Sequence, residues 1–142
     1  RIARIFNTYG PYLDKEDGRV VSNFINQAIN NKNITIYGTG KQTRSFCYID
    51  DLVDGLIKLM NSDYKLPINL GNPNEITMLE LSKRVIELTK SKSKIIYVDL
   101  PEDDPKIRKP DITKAKSILK WKPKISFDEL VKDMVDRDLE EL

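Results

Sequence analysis

Histidine is missing altogether from this chain of 142 residues, and cysteine occurs once, at Cys47. With no imidazole and a single thiol, a zinc centre has almost no ligands to draw on, a histidine-based triad cannot be assembled, and no disulfide can close within the chain. Long apolar runs are missing too. No stretch approaches the roughly 18 apolar residues that span a bilayer, and the opening "RIARIFNTYG" lacks a signal-like apolar core. The chain is therefore expected to be soluble and cytoplasmic, with no membrane contact from this portion, although an upstream anchor or Golgi-targeting segment is compatible with it. A surplus of one charge is also lacking. The 24 basic and 22 acidic residues are interleaved, which argues against a nucleic-acid partner. The densest basic cluster, "KSKSK" at 90–94, reads as a solvated helix end or, alternatively, as a contact for an acidic partner.

What is present alternates between strand-like and helix-like segments. "RIARIF" reads as a buried strand running into the turn "NTYGP". A chain that opens inside a core strand suggests further residues upstream. Val21, Phe24, Ile25, Ala28 and Ile29 fall at helical spacing, followed by a short strand at 34–37, a glycine turn and another short strand at 45–48. Asp50 or Asp51 is placed to cap the next helix, which carries Leu52, Leu56, Leu59 and Met60 on one side. A brief strand lies within 66–73. Thr77 with Glu80 is a capping-box signature and predicts a helix over 78–89; Ser126 with Glu129 is a second one and predicts a final helix carrying Phe127, Leu130, Val131, Met134 and Val135. Residues 95–98 read as a strand, the proline-rich 99–111 as a loop, and 111–119 as a short helix. Strands alternating with helices specify an α/β or α+β architecture.

Three stretches can carry chemistry. "YGTGKQTRSF", Tyr37 to Phe46, offers backbone N–H groups at two glycines together with the fork of Arg44, so it is either plain turn punctuation or a phosphate cradle. "DDPKIRKPD" presents Arg108 either in an ion pair or to an anionic ligand. "NTYGP", with Asn7, Thr8 and Tyr9, stands at the carboxyl end of a strand, where open α/β sheets bind ligands, or is simply a tight turn.

In order and spacing, "RIFNTYGP", "DGRVVSNFI", "IYGTGKQTRSFCYIDDLVDGLIKLM", "INLGNPNEITMLELSKRVIEL" and "PEDDPKIRKPDITKAKSILKWKPK" resemble the C-terminal part of the UDP-glucuronate decarboxylases (UDP-xylose synthases). These belong to the extended short-chain dehydrogenase/reductase group acting on nucleotide sugars. The resemblance covers essentially the whole chain. It implies the C-terminal part of an NAD(P)-binding Rossmann-type fold, mainly the small substrate-binding domain, with NAD as cofactor, a UDP-sugar substrate and a homodimer as full-length protein. By position it places Thr8 beside the nicotinamide, with Asn7 and Tyr9 in the same turn. Arg19 closes over cofactor and substrate diphosphate, Tyr37 and Gln42 lie at the uridine, and Arg44 pairs with the diphosphate. Arg108 stands at the sugar carboxylate, where it orients the group and stabilises the enolate left by loss of CO2.

The implied reaction is oxidation at C4, decarboxylation of the β-keto acid, and re-reduction. It needs a glycine fingerprint and a YxxxK pair. The first is absent from these residues. The second occurs only as Tyr37 and Lys41 inside the glycine turn, a coincidental match, so the chain alone is expected to be inert. Two positions depart from the family pattern. Tyr12 stands where arginine is usual, and Lys120 replaces a helix-ending glycine, which predicts an altered helix end. A dTDP-glucose 4,6-dehydratase or a UDP-sugar 4-epimerase of the same superfamily is the alternative enzyme, "NTYGPY" leaning that way. A non-catalytic nucleotide-sugar-binding or assembly module is the alternative outside enzymology.

Overall fold

A computed structural model describes residues 1–14, 17–99 and 109–140. The elements follow in the order β1 (Ala3–Ile5), β2 (Thr8–Tyr9), α1 (Val20–Ile29), β3 (Ile34–Tyr37), β4 (Thr43–Ser45), β5 (Cys47–Tyr48), α2 (Ile49–Met60), β6 (Ile68–Leu70), β7 (Glu75–Thr77), α3 (Met78–Thr89), β8 (Ile95–Val98), α4 (Thr113–Leu119) and α5 (Phe127–Glu140). The strands pair two by two: β1 with β6, β2 with β5 and β3 with β8 run parallel, whereas β4 with β7 is antiparallel. The architecture is α/β, as expected.

Two hydrophobic clusters hold these elements. In the larger, Phe24 and Ile25 of α1, Ile34 and Ile36 of β3, Leu81 and Val85 of α3, and Leu130 and Val131 of α5 meet around Phe46. In the smaller, Leu52 and Leu59 of α2 and Ile68 and Leu70 of β6 close over Trp121. Gly55 makes that closure possible, since a Cβ there would stand 3.0 Å from Trp121 and 3.1 Å from Leu70.

Both capping boxes form. Thr77 Oγ1 accepts the Glu80 N–H at 3.1 Å while the Glu80 carboxylate takes the Thr77 N–H at 2.9 Å, and Ser126 and Glu129 repeat the exchange ahead of α5. Other expectations need correction. Neither Asp50 nor Asp51 caps α2, whose N-cap residue is Tyr48. Asp51 is buried and turns elsewhere: its Oδ2 accepts the N–H groups of Lys124 and Ile125, each at 2.9 Å, while its carbonyl accepts Trp121 Nε1 at 2.9 Å. One side chain thus clamps the segment between α4 and α5 onto the first turn of α2. The single strand expected over 45–48 is broken at Phe46, which drops into the core, so β4 and β5 pair with different partners.

Lys120 does not alter the end of α4. It adopts the left-handed conformation itself, φ 52°, and Trp121 N–H still reaches Ala115 O at 3.1 Å. A Cβ in that region is strained. Lys120→Gly is expected to leave the structure unchanged and raise stability by up to about 1 kcal/mol, whereas Lys120→Val lowers it; denaturant unfolding reads both.

Candidate functional site

Strand β3 lies between α1 and β8, and the alternation of a strand decides which of its groups face which side. Ile34 N–H reaches Lys94 O at 2.9 Å and Gly38 N–H reaches Val98 O at 2.8 Å, so even-numbered residues serve the β8 ladder. Thr35 and Tyr37 therefore turn their backbone groups the other way. On that side lies a cleft of about 550 Å³ bordered by Gly18, Asn23, Gln27, Thr35, Tyr37, Gln42 and Arg44, with Phe24, Ile36 and Met78 among its apolar surfaces.

The turn from β3 to β4 closes one end of it. Gly38 and Gly40 both take positive φ, 65° and 73°. At Gly40 a side chain would also press on Ile36 and on Leu79 of α3, at 3.2 and 3.3 Å. Leu79 N–H bonds Gly40 O at 3.0 Å and Met78 N–H bonds Gln42 O at 3.2 Å, so α3 holds the turn from behind. Gln42 Nε2 donates to Tyr37 O at 2.6 Å and Arg44 Nη1 donates to Thr43 O at 2.8 Å. Tyr37, Gln42 and Arg44, picked out as ligand residues, thus share one concave surface. Arg44 is half-buried there, an arrangement that strengthens its attraction for an anion.

Asn7, Thr8, Tyr9 and Arg19 form a second group. Thr8 Oγ1 donates to Phe6 O at 2.7 Å, and Asn7 Nδ2 contacts Ser45 O at 3.4 Å, tying this turn to the end of β4. Tyr9 is buried and stands edge-on to Phe46, centroids 5.3 Å apart. Arg19 lies 4.9 Å over the Tyr9 ring, donates from Nη1 to Thr8 O at 3.3 Å and from Nη2 to Asp17 at 3.1 Å, with Nε on the same carboxylate. Those hydrogen bonds hold the Asp17 carboxyl below its usual value and raise the Arg19 guanidinium, so the pair is ionised at neutral pH. Gly18, one residue earlier, borders the cleft, which puts this cation beside its rim. Arg108 lies outside the described residues.

Asn23 and Gln27 are missing from the ligand residues read from the sequence. They stand four apart on α1, flanking the buried stripe that contains Phe24, a spacing that puts both on one side of the helix. Polar residues there resemble an ordinary solvated face, which is why the pattern gives no warning. Among the described residues, no group of three or more acidic or cysteine side chains is placed to hold a metal ion, and no helix is long and apolar enough to cross a membrane.

The chain matches the sequence model of the family described as GDP-mannose 4,6 dehydratase over residues 1–134. It is 56% identical over 129 residues to UDP-glucuronic acid decarboxylase 5 of Arabidopsis thaliana, covering 91% of this chain and spanning 38% of that protein's length. Its fold superposes on UDP-glucose 4-epimerase of Thermotoga maritima, solved with UDP-glucose, with a TM-score of 0.93 at 28% identity, over 98% of this chain and 45% of the other. UDP-glucuronic acid 4-epimerase of Bacillus cereus, solved with UDP-glucuronic acid and NAD, gives 0.90 at 25% identity, over 99% and 45%.

Proposed function

The chain belongs to the GDP-mannose 4,6-dehydratase family, and from that premise we propose that it is the substrate-binding part of an NAD-dependent UDP-glucuronate decarboxylase. The observation that carries the reading is the cleft between α1 and the β3–β4 turn. There Arg44 offers a fork for a diphosphate, and the outward edge of β3 offers Thr35 C=O and Tyr37 N–H, the acceptor and donor that one residue of a neighbouring strand would meet in a parallel ladder. A uracil ring carries the same N–H and C=O side by side and satisfies both. The 56% identity to a plant decarboxylase supports the choice of substrate over the related epimerases.

In this reading the larger cluster is the sugar-nucleotide domain, and the smaller one, with β1, β6 and α2, is the last portion of the dinucleotide-binding sheet. The remaining length of a full protein supplies the glycine fingerprint and the YxxxK pair. The residues present fit one wall of an NAD site, because Arg19 sets a cation against the carbonyl of Thr8, which opens β2 just past the carboxyl end of β1. Thr8 and Arg19 would hold it, and the cofactor would take up hydride from the sugar's C4 and return it.

The chain's own residues bind and orient. Arg44 fixes the diphosphate, the β3 edge fixes the base, and Tyr37 and Gln42 shape the ribose end. Arg108 is assigned to the sugar carboxylate, where a guanidinium holds the charge until CO2 leaves and then steadies the enolate. Calorimetry on the full-length protein separates this from the dehydratase alternative. UDP-glucuronate is expected to bind at least about tenfold more tightly than dTDP-glucose, and the opposite order sinks the assignment.

A further inference from the structure

Thr35 has one outward backbone donor as well as an outward acceptor, and the donor is already taken. Gln27 Oε1 accepts Thr35 N–H at 3.1 Å, and Gln27 Nε2 reaches Thr35 Oγ1 at 3.4 Å. Because a backbone N–H can only donate, the atom facing it must be the carboxamide oxygen, which fixes the orientation of the amide. The Gln27 NH2 group then has two hydrogens. The contact to Thr35 Oγ1 uses one and is long for a hydrogen bond. Gln27 borders the same cleft as Thr35 and Tyr37. The β3 edge thus presents, in succession, the Gln27 amide donor, the Thr35 carbonyl acceptor and the Tyr37 N–H donor.

We infer that Gln27 is a base-specificity residue, its amide supplying the third group of a donor–acceptor–donor edge that selects uracil over cytosine. Uracil carries carbonyl, N–H and carbonyl in a row and meets that edge at every position. Cytosine carries carbonyl, bare ring nitrogen and amino group, so its ring nitrogen faces the Thr35 carbonyl and one donor faces another donor. A site built to pair with every polar group rejects the analogue that leaves its own groups unpaired. This inference rests on the nucleotide reading of the cleft.

The test is competition binding of UDP and CDP to the full-length protein with three forms of residue 27. The wild type is expected to prefer UDP by at least about 100-fold. Gln27→Leu should weaken UDP by about 3- to 10-fold, the range of one neutral hydrogen bond, and leave CDP unchanged. Gln27→Glu keeps the oxygen that faces Thr35 N–H and replaces the amide donor by an acceptor, so the UDP-to-CDP ratio should move toward CDP by at least about tenfold. Its near-identical shape guards against loss of the fold. A purely structural bridge between α1 and β3 would weaken both nucleotides together, and an unchanged ratio in both variants overturns the inference. A wild type that binds neither nucleotide overturns the nucleotide reading itself, a separate outcome from a uridine preference that ignores residue 27.

Discussion

Arg44→Ala in the full-length protein is expected to weaken UDP-glucuronate binding by about 30- to 150-fold, the ~2–3 kcal/mol of a charge-assisted hydrogen-bonded pair. The reason is position. Arg44 is half-buried on β4, one residue from the end of a turn held from behind by α3, so the guanidinium meets an anion in a walled cleft. Arg44→Lys keeps the charge but not the fork, and should recover only part of the loss. Calorimetry with UDP alone should show the same deficit as with UDP-glucuronate, since both share the diphosphate. A loss confined to UDP-glucuronate would move Arg44 from the diphosphate to the sugar.

Asp51→Ala is expected to lower stability by about 2–4 kcal/mol and the thermal midpoint by about 5–15 °C. Removing the carboxylate strands two backbone N–H groups, Lys124 and Ile125, at the point where the segment following α4 is clamped to α2. Trp121 sits fully buried beside them with its indole N–H on the Asp51 carbonyl. Both amide groups share the single oxygen Oδ2, so Asn, which keeps one carbonyl oxygen, can serve both. Asp51→Asn should therefore cost less than half as much as Asp51→Ala. Equal losses in the two variants would mean that the negative charge, rather than the acceptor, holds the clamp.

Such contacts explain why some of the fold was legible from residues alone and some was not. Helix α3 was readable to its limits, Met78 and Thr89, because its start signal is local: Thr77, the N-cap, and Glu80 satisfy each other three residues apart. The same local exchange marks α5. Strand β7 left no comparable trace. Its three residues extend only because Arg44 lies opposite Ile76 and Thr43 opposite Thr77, a register set by residues more than thirty positions earlier. Asp51 looked like a cap because an acidic residue at a helix start usually is one; its real partners are 73 and 74 positions downstream.

Lys120 is a further case. A lysine at a helix end gives no sign of left-handed geometry, and here the packing of Trp121 imposes that geometry despite the Cβ. At the site, the glycine turn was visible because positive φ at Gly38 and Gly40 is a property of those residues. Gln27 was not, since its role depends on which edge of β3 is left over once β8 has paired with the other. The family resemblance came from strings of residues in order, and the cleft supplies a physical reason for one of those strings: "YGTGKQTR" closes a pocket that Arg44 makes cationic.

The most direct test of the decarboxylase assignment is the product made by the full-length protein from UDP-glucuronate in the presence of NAD, followed by carbon-13 NMR with the carboxyl carbon labelled. The label should leave as CO2, and the nucleotide product should be a UDP-pentose, UDP-xylose, with no net consumption of NAD. Retention of the labelled carboxyl group in a UDP-galacturonate product would contradict the assignment and make the protein an epimerase built on the same cleft.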